Sequence, residues 1–323
     1  MAKQELSLEI FGGDYTQSEL PHPEIAQIFA ADVQAALNSA RIVRRYFNDI
    51  PLEKLRVEYK KDETPKSIAD TEGDFAIYEA IRSFRPYDNM LLEETGYHKG
   101  LTNLHPTIPT FVRHYADSLD GSRPFTEKKP WSVVGVSSID EENGEYLASA
   151  IVHPYRQQLA VAIRGMGAYL IPLDADLLPN GQPERMYVSK KDSLAGATIS
   201  IDSLFPTKHP VMRRMKHSLM MQLEDLGVTS WDMVGSNIAY QMDVAAGKSI
   251  AGITDAVGGP WDWRAGQPLV VEADGTMLDG QTGKEPHDKS ELLVYGPKAI
   301  VDQIIPVSMS IYSPKPFSGF NNP

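Results

Sequence analysis

Residues 131–171 carry four strand patterns in close succession, and no other stretch constrains the fold as strongly. They cover 132–139, 146–153, 158–163 and 165–170, and Glu142-Asn143-Gly144 makes a tight turn between the first two. Asn-Gly favours such turns because both residues tolerate positive φ. A meander of this kind exposes an apolar face that other elements must cover. The flanking sequence offers helices for that purpose. Residues 24–47 place Ile25, Ile28, Phe29, Val33, Ala36, Leu37, Ile42 and Val43 at mostly helical spacing, just after Pro23. Residues 70–84 repeat the pattern with Phe75, Ile77, Tyr78 and Ile81, and Pro86 stops it. Helices are also expected at 210–226, 236–246, 262–273 and 298–304, and strands at 90–92, 111–115, 198–201, 249–254 and 292–295. Residues 96–109 read as a loop, and 173–183, rich in Asp, Pro, Asn and Gly, as the connection between two halves. Together these patterns predict a layered α+β or α/β architecture.

Composition narrows the chemistry. The 323 residues include no cysteine, which excludes disulfides, thiolate catalysis and Cys-bound zinc, and fits a reducing cytosol. Net charge is −12, so a basic nucleic-acid-binding surface is not expected. An acidic chain that handles an anionic substrate needs a local cation. Met1 to Leu8 carries acids and no apolar core, so no secretory signal is expected, and no run of about 18 apolar residues suggests a membrane span. Gly-x-Ser-x-Gly, Walker A and His-Glu-x-x-His patterns are absent, and Gly165-Met166-Gly167 reads as a turn. His153 is expected at a strand end, and His209 and His217 flank a helix facing solvent. Met212, Met215, Met220 and Met221 read as an apolar helix face, and the four tryptophans as core, with Trp131 and Trp261 near the motifs below.

Three motifs carry chemistry. Asp117-Ser118-Leu119-Asp120-Gly121-Ser122 places two carboxylates three residues apart after an expected strand. If they converge, they offer hard oxygen ligands suited to Mg²⁺. Gly121 permits close backbone approach, and the N–H groups after it can hold a phosphate. A solvated Asx-turn would have the same composition. In Gly259-Pro260-Trp261-Asp262-Trp263-Arg264-Ala265-Gly266, Asp262 falls where a helix starts, as an N-cap, a metal ligand or both. Glu93-Glu94-Thr95-Gly96 closes a short apolar strand and means little by itself.

In this order and spacing the three motifs resemble the inositol monophosphatase family, within a wider superfamily of lithium-sensitive, magnesium-dependent phosphatases. The resemblance runs from about Ala30 to Ile304, supported by Pro130-Trp131-Ser132-Val133, Gly165-Met166-Gly167-Ala168, Gly235-Ser236 and Val244-Ala245-Ala246-Gly247. It implies a layered α/β/α/β/α sandwich, with 1–180 holding most metal ligands and 181–323 holding Asp262 and the substrate pocket. It implies that Glu93, Asp117, Asp120, Asp262 and the Leu119 carbonyl bind two or three Mg²⁺, with Asp70 on a weaker ion. Gly121 and Ser122 would bind phosphate, and Ser122, with Glu93 and Asp70, would position the attacking water. Gly235, Ser236 and Asp255 would line the pocket, Asp255 as acceptor for a substrate hydroxyl. A cytoplasmic homodimer acting on a small phosphate ester, with no nucleic-acid or membrane partner, completes the expectation.

The sequence also departs from the family. Ser118 stands where Pro is usual and Ser122 where Thr is usual, which keeps the hydroxyl. Asp255 replaces Glu and shortens the substrate arm, and Trp263-Arg264 replaces smaller residues. Three readings stay open: an inositol-phosphate phosphatase; a phosphatase for histidinol phosphate, a sugar phosphate or a 3′-phosphonucleotide, with Arg264 or Lys248 close to the pocket favouring the substrate of more negative charge; or a non-catalytic metal- or partner-binding relative, at which Ser118 hints. Electrostatics adds one constraint. Two carboxylates 4 Å apart repel by about 4 kcal/mol at an effective dielectric of about 20. Several such pairs rival a domain's total stability of about 5–15 kcal/mol. Without cations a four-acid cluster must therefore protonate or splay apart.

Overall fold

The computed structural model describes residues 20–60, 64–101, 111–202, 210–256 and 258–312. The chain opens with α1 (Ile25–Asp49), the β1–β2 hairpin (Glu58–Tyr59, Pro65–Lys66) and α2 (Ile68–Phe84). Then come β3 (Asn89–Leu92), β4 (Gly96–His98), β5 (Val112–Asp120) and the short α3 (Ser122–Thr126). The meander follows as β6 (Val133–Asp140), β7 (Tyr146–His153), β8 (Gln158–Ile163) and β9 (Gly167–Pro172), ending at β10 (Glu184–Arg185). The second half runs β11 (Ala197–Ile201), α4 (Pro210–Asp225), β12 (Val228–Asp232), α5 (Asn237–Ala245) and β13 (Ala251–Asp255). It closes with α6 (Trp261–Arg264), α7 (Gly266–Glu272), β14 (Thr276–Asp279), β15 (Leu292–Gly296) and α8 (Lys298–Tyr312).

Two sheets organise these elements. The first has eight strands in the order β10-β9-β8-β7-β6-β5-β3-β4, antiparallel except for the β3–β5 pair. The second has five, in the order β12-β11-β13-β15-β14, with β11 parallel to β12 and β13. Helices α1 and α2 cover the outer face of the first sheet, because Ile25, Ile28, Phe29, Val33, Leu37, Ile77 and Ile81 form one buried stripe against it. A second core lies between the sheets, where α5 and α7 bring Ile238, Met242 and Leu269 against Val133, Ile151, Leu293 and Tyr295. Helices α4 and α8 cover the far face of the second sheet around Leu219, Leu223, Ile300 and Ile304. The result is a five-layer α/β/α/β/α sandwich. Gly135 belongs to the seam: a Cβ there would come within 2.7 Å of Ile238 and 2.8 Å of Ala265.

Several elements differ from the sequence reading. Residues 96–98 form β4 rather than loop, paired on Met90–Leu92, while 102–110 lie outside the described residues. Strand β5 continues through Asp120, because its pairing with β6 persists past an irregularity between Asp117 and Asp120. β10 returns to pair with β9, so 173–183 is a loop within the first sheet and 186–196 makes the passage to the second. The helix expected at 262–273 is broken into α6 and α7. The last helix extends to Tyr312 despite Pro306. His217 lies within α4, exposed, and His209 lies outside the described residues, as do 1–19 and 313–323. Met215 and Met220 pack on the outer core, whereas Met221 is 66% exposed.

Candidate active site

The site forms where β5 ends. Asp117 and Asp120 are carried out by the last turn of that strand, and both are buried. Gly121 follows at φ +89°, a left-handed turn that costs an L side chain about 1–2 kcal/mol. A Cβ there would also approach Ser236 Cβ to 3.0 Å. This turn starts α3 at Ser122, whose hydroxyl faces Asp70 Oδ1 at 2.9 Å and the Leu119 carbonyl at 3.1 Å. Asp70 is placed by a capping box at the start of α2. Its Oδ2 accepts from the Ser67 N–H (2.7 Å) and the Ser67 hydroxyl (2.6 Å). The departure at Ser118 also finds its place. Its hydroxyl donates to the Asp70 carbonyl at 2.8 Å, and its own carbonyl accepts from Ser39 Oγ, so it ties β5 to α1 and α2.

Each acid has a local partner. Glu93, just past β3, is held 2.7 Å from Lys60 Nζ on the hairpin. Its neighbour Glu94 pairs with Lys60 and with Lys66, the latter at 2.7 Å. Asp117 Oδ1 accepts from the Leu119 N–H at 2.8 Å. Asp120 Oδ2 accepts from Ser236 Oγ–H and Ile238 N–H, both at 2.6 Å, across the seam from α5. Asp262 lies inside the first turn of α6 and accepts from the Gly258 N–H at 3.1 Å. The capping role for Asp262 therefore fails, since it reaches back along the chain rather than into its own helix. Among the described residues, no three His, Asp or Glu side chains are gathered tightly enough to hold an ion.

The acids nevertheless feel one another. Asp117 is pushed well above the usual carboxylate range, first by burial and then by Glu93, Asp120 and Asp262. Asp262 rises for the same reasons, with Glu93, Asp120 and Asp202 adding to burial. Burial raises Asp120 to about 7 against the opposing pull of its Ser236 and Ile238 hydrogen bonds. Asp70 rises to about 6, again through burial. Burial and neighbouring negative charge thus act together to raise the proton affinity of Asp117 and Asp262. The donor set itself is all hard oxygen, with no sulfur or imidazole, and fits Mg²⁺ rather than a softer metal.

Other expected residues fall elsewhere. Gly235 accepts a left-handed turn (φ +79°), and Ser236 caps α5. Asp255 ends β13 and is held 2.6 Å from Lys216 Nζ. Arg264 is committed to Asp288 at 2.7 Å and lies over Tyr115 and Trp263. Lys248 is exposed beside Asp243 at 3.7 Å. Neither basic residue is placed to serve a second anion at the acids. Four participants escaped the sequence reading: Lys60, Lys66, Lys216 and Asp74. Asp74 Oδ2 accepts from the N–H groups of Glu94 and Thr95, both at 3.0 Å, and so shapes the Glu93-Glu94 turn. Its spacing of four from Asp70, on one helix face, was the available signal.

A family profile described as "Inositol monophosphatase family" matches residues 24–310. An inositol-1-monophosphatase of Rhizobium meliloti (strain 1021) is 26% identical over 267 residues, covering 81% of this chain and 88% of that protein. A histidinol-phosphatase of Chlorobaculum parvum is 27% identical over 256 residues, covering 77% and 85%. Among solved structures, the extragenic suppressor protein suhB of Bartonella henselae superposes with a TM-score of 0.72 at 22% identity, covering 85% of this chain and 95% of that one.

Proposed function

Because this chain belongs to the inositol monophosphatase family, and is on that ground a phosphoric monoester hydrolase, we propose that it hydrolyses a small polyol phosphate with Mg²⁺ at the β5 terminus. The observation that carries the proposal is the grouping of Glu93, Asp117, Asp120 and Asp262 at the end of β5, with Asp117 and Asp120 buried and the charges of Glu93, Asp120 and Asp262 all felt by Asp117. Two or three Mg²⁺ held there, with the Leu119 carbonyl, would acidify a bound water and neutralise phosphoryl oxygens.

The remaining roles belong to the chain itself. The Gly121–Ser122 turn presents backbone N–H groups toward a phosphate. Asp70 orients the Ser122 hydroxyl from 2.9 Å, so that its oxygen lone pairs can accept a hydrogen bond from the attacking water. Asp70 is thereby assigned to positioning as well as to a weaker ion. Residues 1–180 supply most of these groups, and 181–323 supply Asp262 and the pocket of Gly235, Ser236 and Asp255. Cytoplasmic residence, lithium sensitivity and homodimer assembly belong to the same proposal and rest on the family alone. Among the described residues no helix is long and apolar enough to cross a membrane.

A histidinol-phosphate or sugar-phosphate substrate is the second reading. Bisphosphorylated substrates are disfavoured because Arg264 and Lys248 are paired away from the acids. A panel of phosphate monoesters assayed for phosphate release with and without Mg²⁺ tests the activity. Single turnover in H₂¹⁸O tests the chemistry: one ¹⁸O is expected in the released phosphate and none in the protein. A trapped phosphorylated side chain would overturn direct water attack.

A further inference from the structure

A cavity away from the acids lies between the last turns of α1 and the loops that follow α3, β7 and β9. It holds about 620 Å³, within the range of about 300–1,000 Å³ that takes drug-sized ligands. Arg41, Arg44 and Arg45 line it from α1, and Phe47, Pro130 and Tyr155 give it apolar walls. None of the four acids and no residue of the Gly121–Ser122 turn is among its walls. Phe47 also packs on Phe125 of α3, 5.9 Å between ring centroids, so the cavity backs onto the helix that starts at Ser122.

Three arginines on one short stretch need a reason in a chain of net charge −12. Spacings of three and four put them on one helix face, where like charges repel. Arg41 registers this: burial and then Arg44 pull its guanidinium below the ordinary range, with Asp174 and Asp176 offsetting part of the effect. A helix C-terminus favours a cation, but Lys128 already fills that role, with Nζ 2.6 Å from the Phe47 carbonyl and 2.9 Å from that of Ile50. Carboxylates do not match the arginines either. Arg41 donates to the Asp176 and Leu177 carbonyls at 3.1 and 3.0 Å, and Arg44 to the Ala175 carbonyl. Arg45 pairs with Glu72, but in an exposed contact of the kind that contributes little. Among the described residues, Arg41 and Arg44 thus make no ion pair, and Arg44 keeps donors to spare.

Guanidinium forks match phosphoryl, phosphonate and carboxylate oxygens. The cavity is much larger than such a group, and two of its walls are rings, Phe47 and Tyr155, 4.5 Å apart between centroids. The matching ligand therefore carries a ring as well as an anion. Asp49, the one carboxylate lining the cavity, disfavours a second anionic group. We propose that this cavity is a binding site, separate from the catalytic one, for a ring compound bearing a single phosphoryl, phosphonate or carboxylate group, with Arg44 as its main anion contact.

Titration calorimetry on the full chain, freed of divalent ions by chelating resin, tests this. Without Mg²⁺ the acids repel anions, so the catalytic pocket does not compete. The probes are phenylphosphonate, inorganic phosphate and benzyl alcohol, which supply ring and anion together, the anion alone and the ring alone. Phenylphosphonate is expected to bind once per chain, about tenfold or more tighter than either fragment. Arg44→Gln is expected to weaken it about tenfold through loss of charge-assisted hydrogen bonds. Arg45→Gln, at an exposed position, is the second variant and should weaken it by less. Lys298→Gln removes the same charge from an exposed pair with Asp302 and should change nothing. No saturable binding of phenylphosphonate, equal affinity for inorganic phosphate, or arginine variants that lose no more than Lys298→Gln overturns the site.

Discussion

Asp117→Asn is expected to abolish Mg²⁺-dependent phosphate release while raising the melting temperature of the metal-free protein. Asp117 is 3% exposed and is driven toward protonation by burial and by Glu93, Asp120 and Asp262. An amide at 117 keeps the oxygen that accepts from the Leu119 N–H at 2.8 Å, so the β5 terminus retains its shape. It removes the charge that makes the cluster unstable alone and useful with a cation. The turnover loss should be about 10³-fold or more, beyond the 10–100-fold typical of a residue that only orients a ligand. Each kcal/mol of relieved repulsion should raise the metal-free melting point by about 2–4 °C. Mg²⁺ at about 100 times its Kd should stabilise the wild type by roughly 2.7 kcal/mol per independent site, and the variant by less. Retained turnover in Asp117→Asn, or a melting point that falls, would contradict this account.

The second large effect is expected three residues earlier on the same strand. His114 is fully buried, with Nδ1 2.6 Å from Asp32 Oδ1 and Nε2 3.0 Å from Asp88 Oδ2. Asp32 comes from α1 and also accepts from Ser138 on β6, while Asp88 is clasped by Arg85 at 2.8 Å. Both ring nitrogens face carboxylates, so both carry protons. Burial opposes the charge, but Asp32 and Asp88 outweigh it and lift the imidazole to about 9. Replacing His114 by Leu strands Asp32 in the core without its cation. The cost should be about 3–5 kcal/mol, a large share of a domain's stability of about 5–15 kcal/mol. Melting should fall by roughly 10 °C at neutral pH.

The same triad sets a pH dependence. The folded pKa lies above the unfolded value of 6.5, so His114 binds its proton more tightly in the native state. Its contribution is therefore complete below pH 6.5 and is lost as pH rises through about 9. With Mg²⁺ saturating, the wild-type melting point should decline across that window, by an amount equivalent to about 3 kcal/mol. His114→Leu should melt low throughout and show a shallower slope. A wild-type curve that is flat from pH 6.5 to 9 would sink this assignment.

Much of this was legible in the chain because the relevant signals are local. The meander from β6 to β9 declares itself by alternation, since one face of each strand must be apolar. The strands that escaped are short and lie at sheet edges. β12 is an edge strand with only Val228 buried, and β14 is four residues long. The break between α6 and α7 had a local signal in Pro268, which has no N–H to bond the Arg264 carbonyl, and it falls at Gly266, where a Cβ would collide with Gln241. The acids were legible as a set because their order and spacing are unusual. Their partners were not, because Lys60, Lys216 and Asn237 reach Glu93 and Asp255 through pairings set by tertiary packing. The same distinction explains Asp262, which looks like a cap by sequence and accepts from Gly258 in space.

Everything functional depends on whether acids spread from Glu93 to Asp262 close around divalent ions next to Ser122. Crystals soaked in Mn²⁺, an anomalous scatterer that substitutes for Mg²⁺ at oxygen sites, read this directly. Two or three anomalous peaks are predicted among Glu93, Asp117, Asp120 and Asp262, with the peak pattern disrupted in Asp117→Asn. Anomalous maps empty at that position at saturating Mn²⁺ would contradict it.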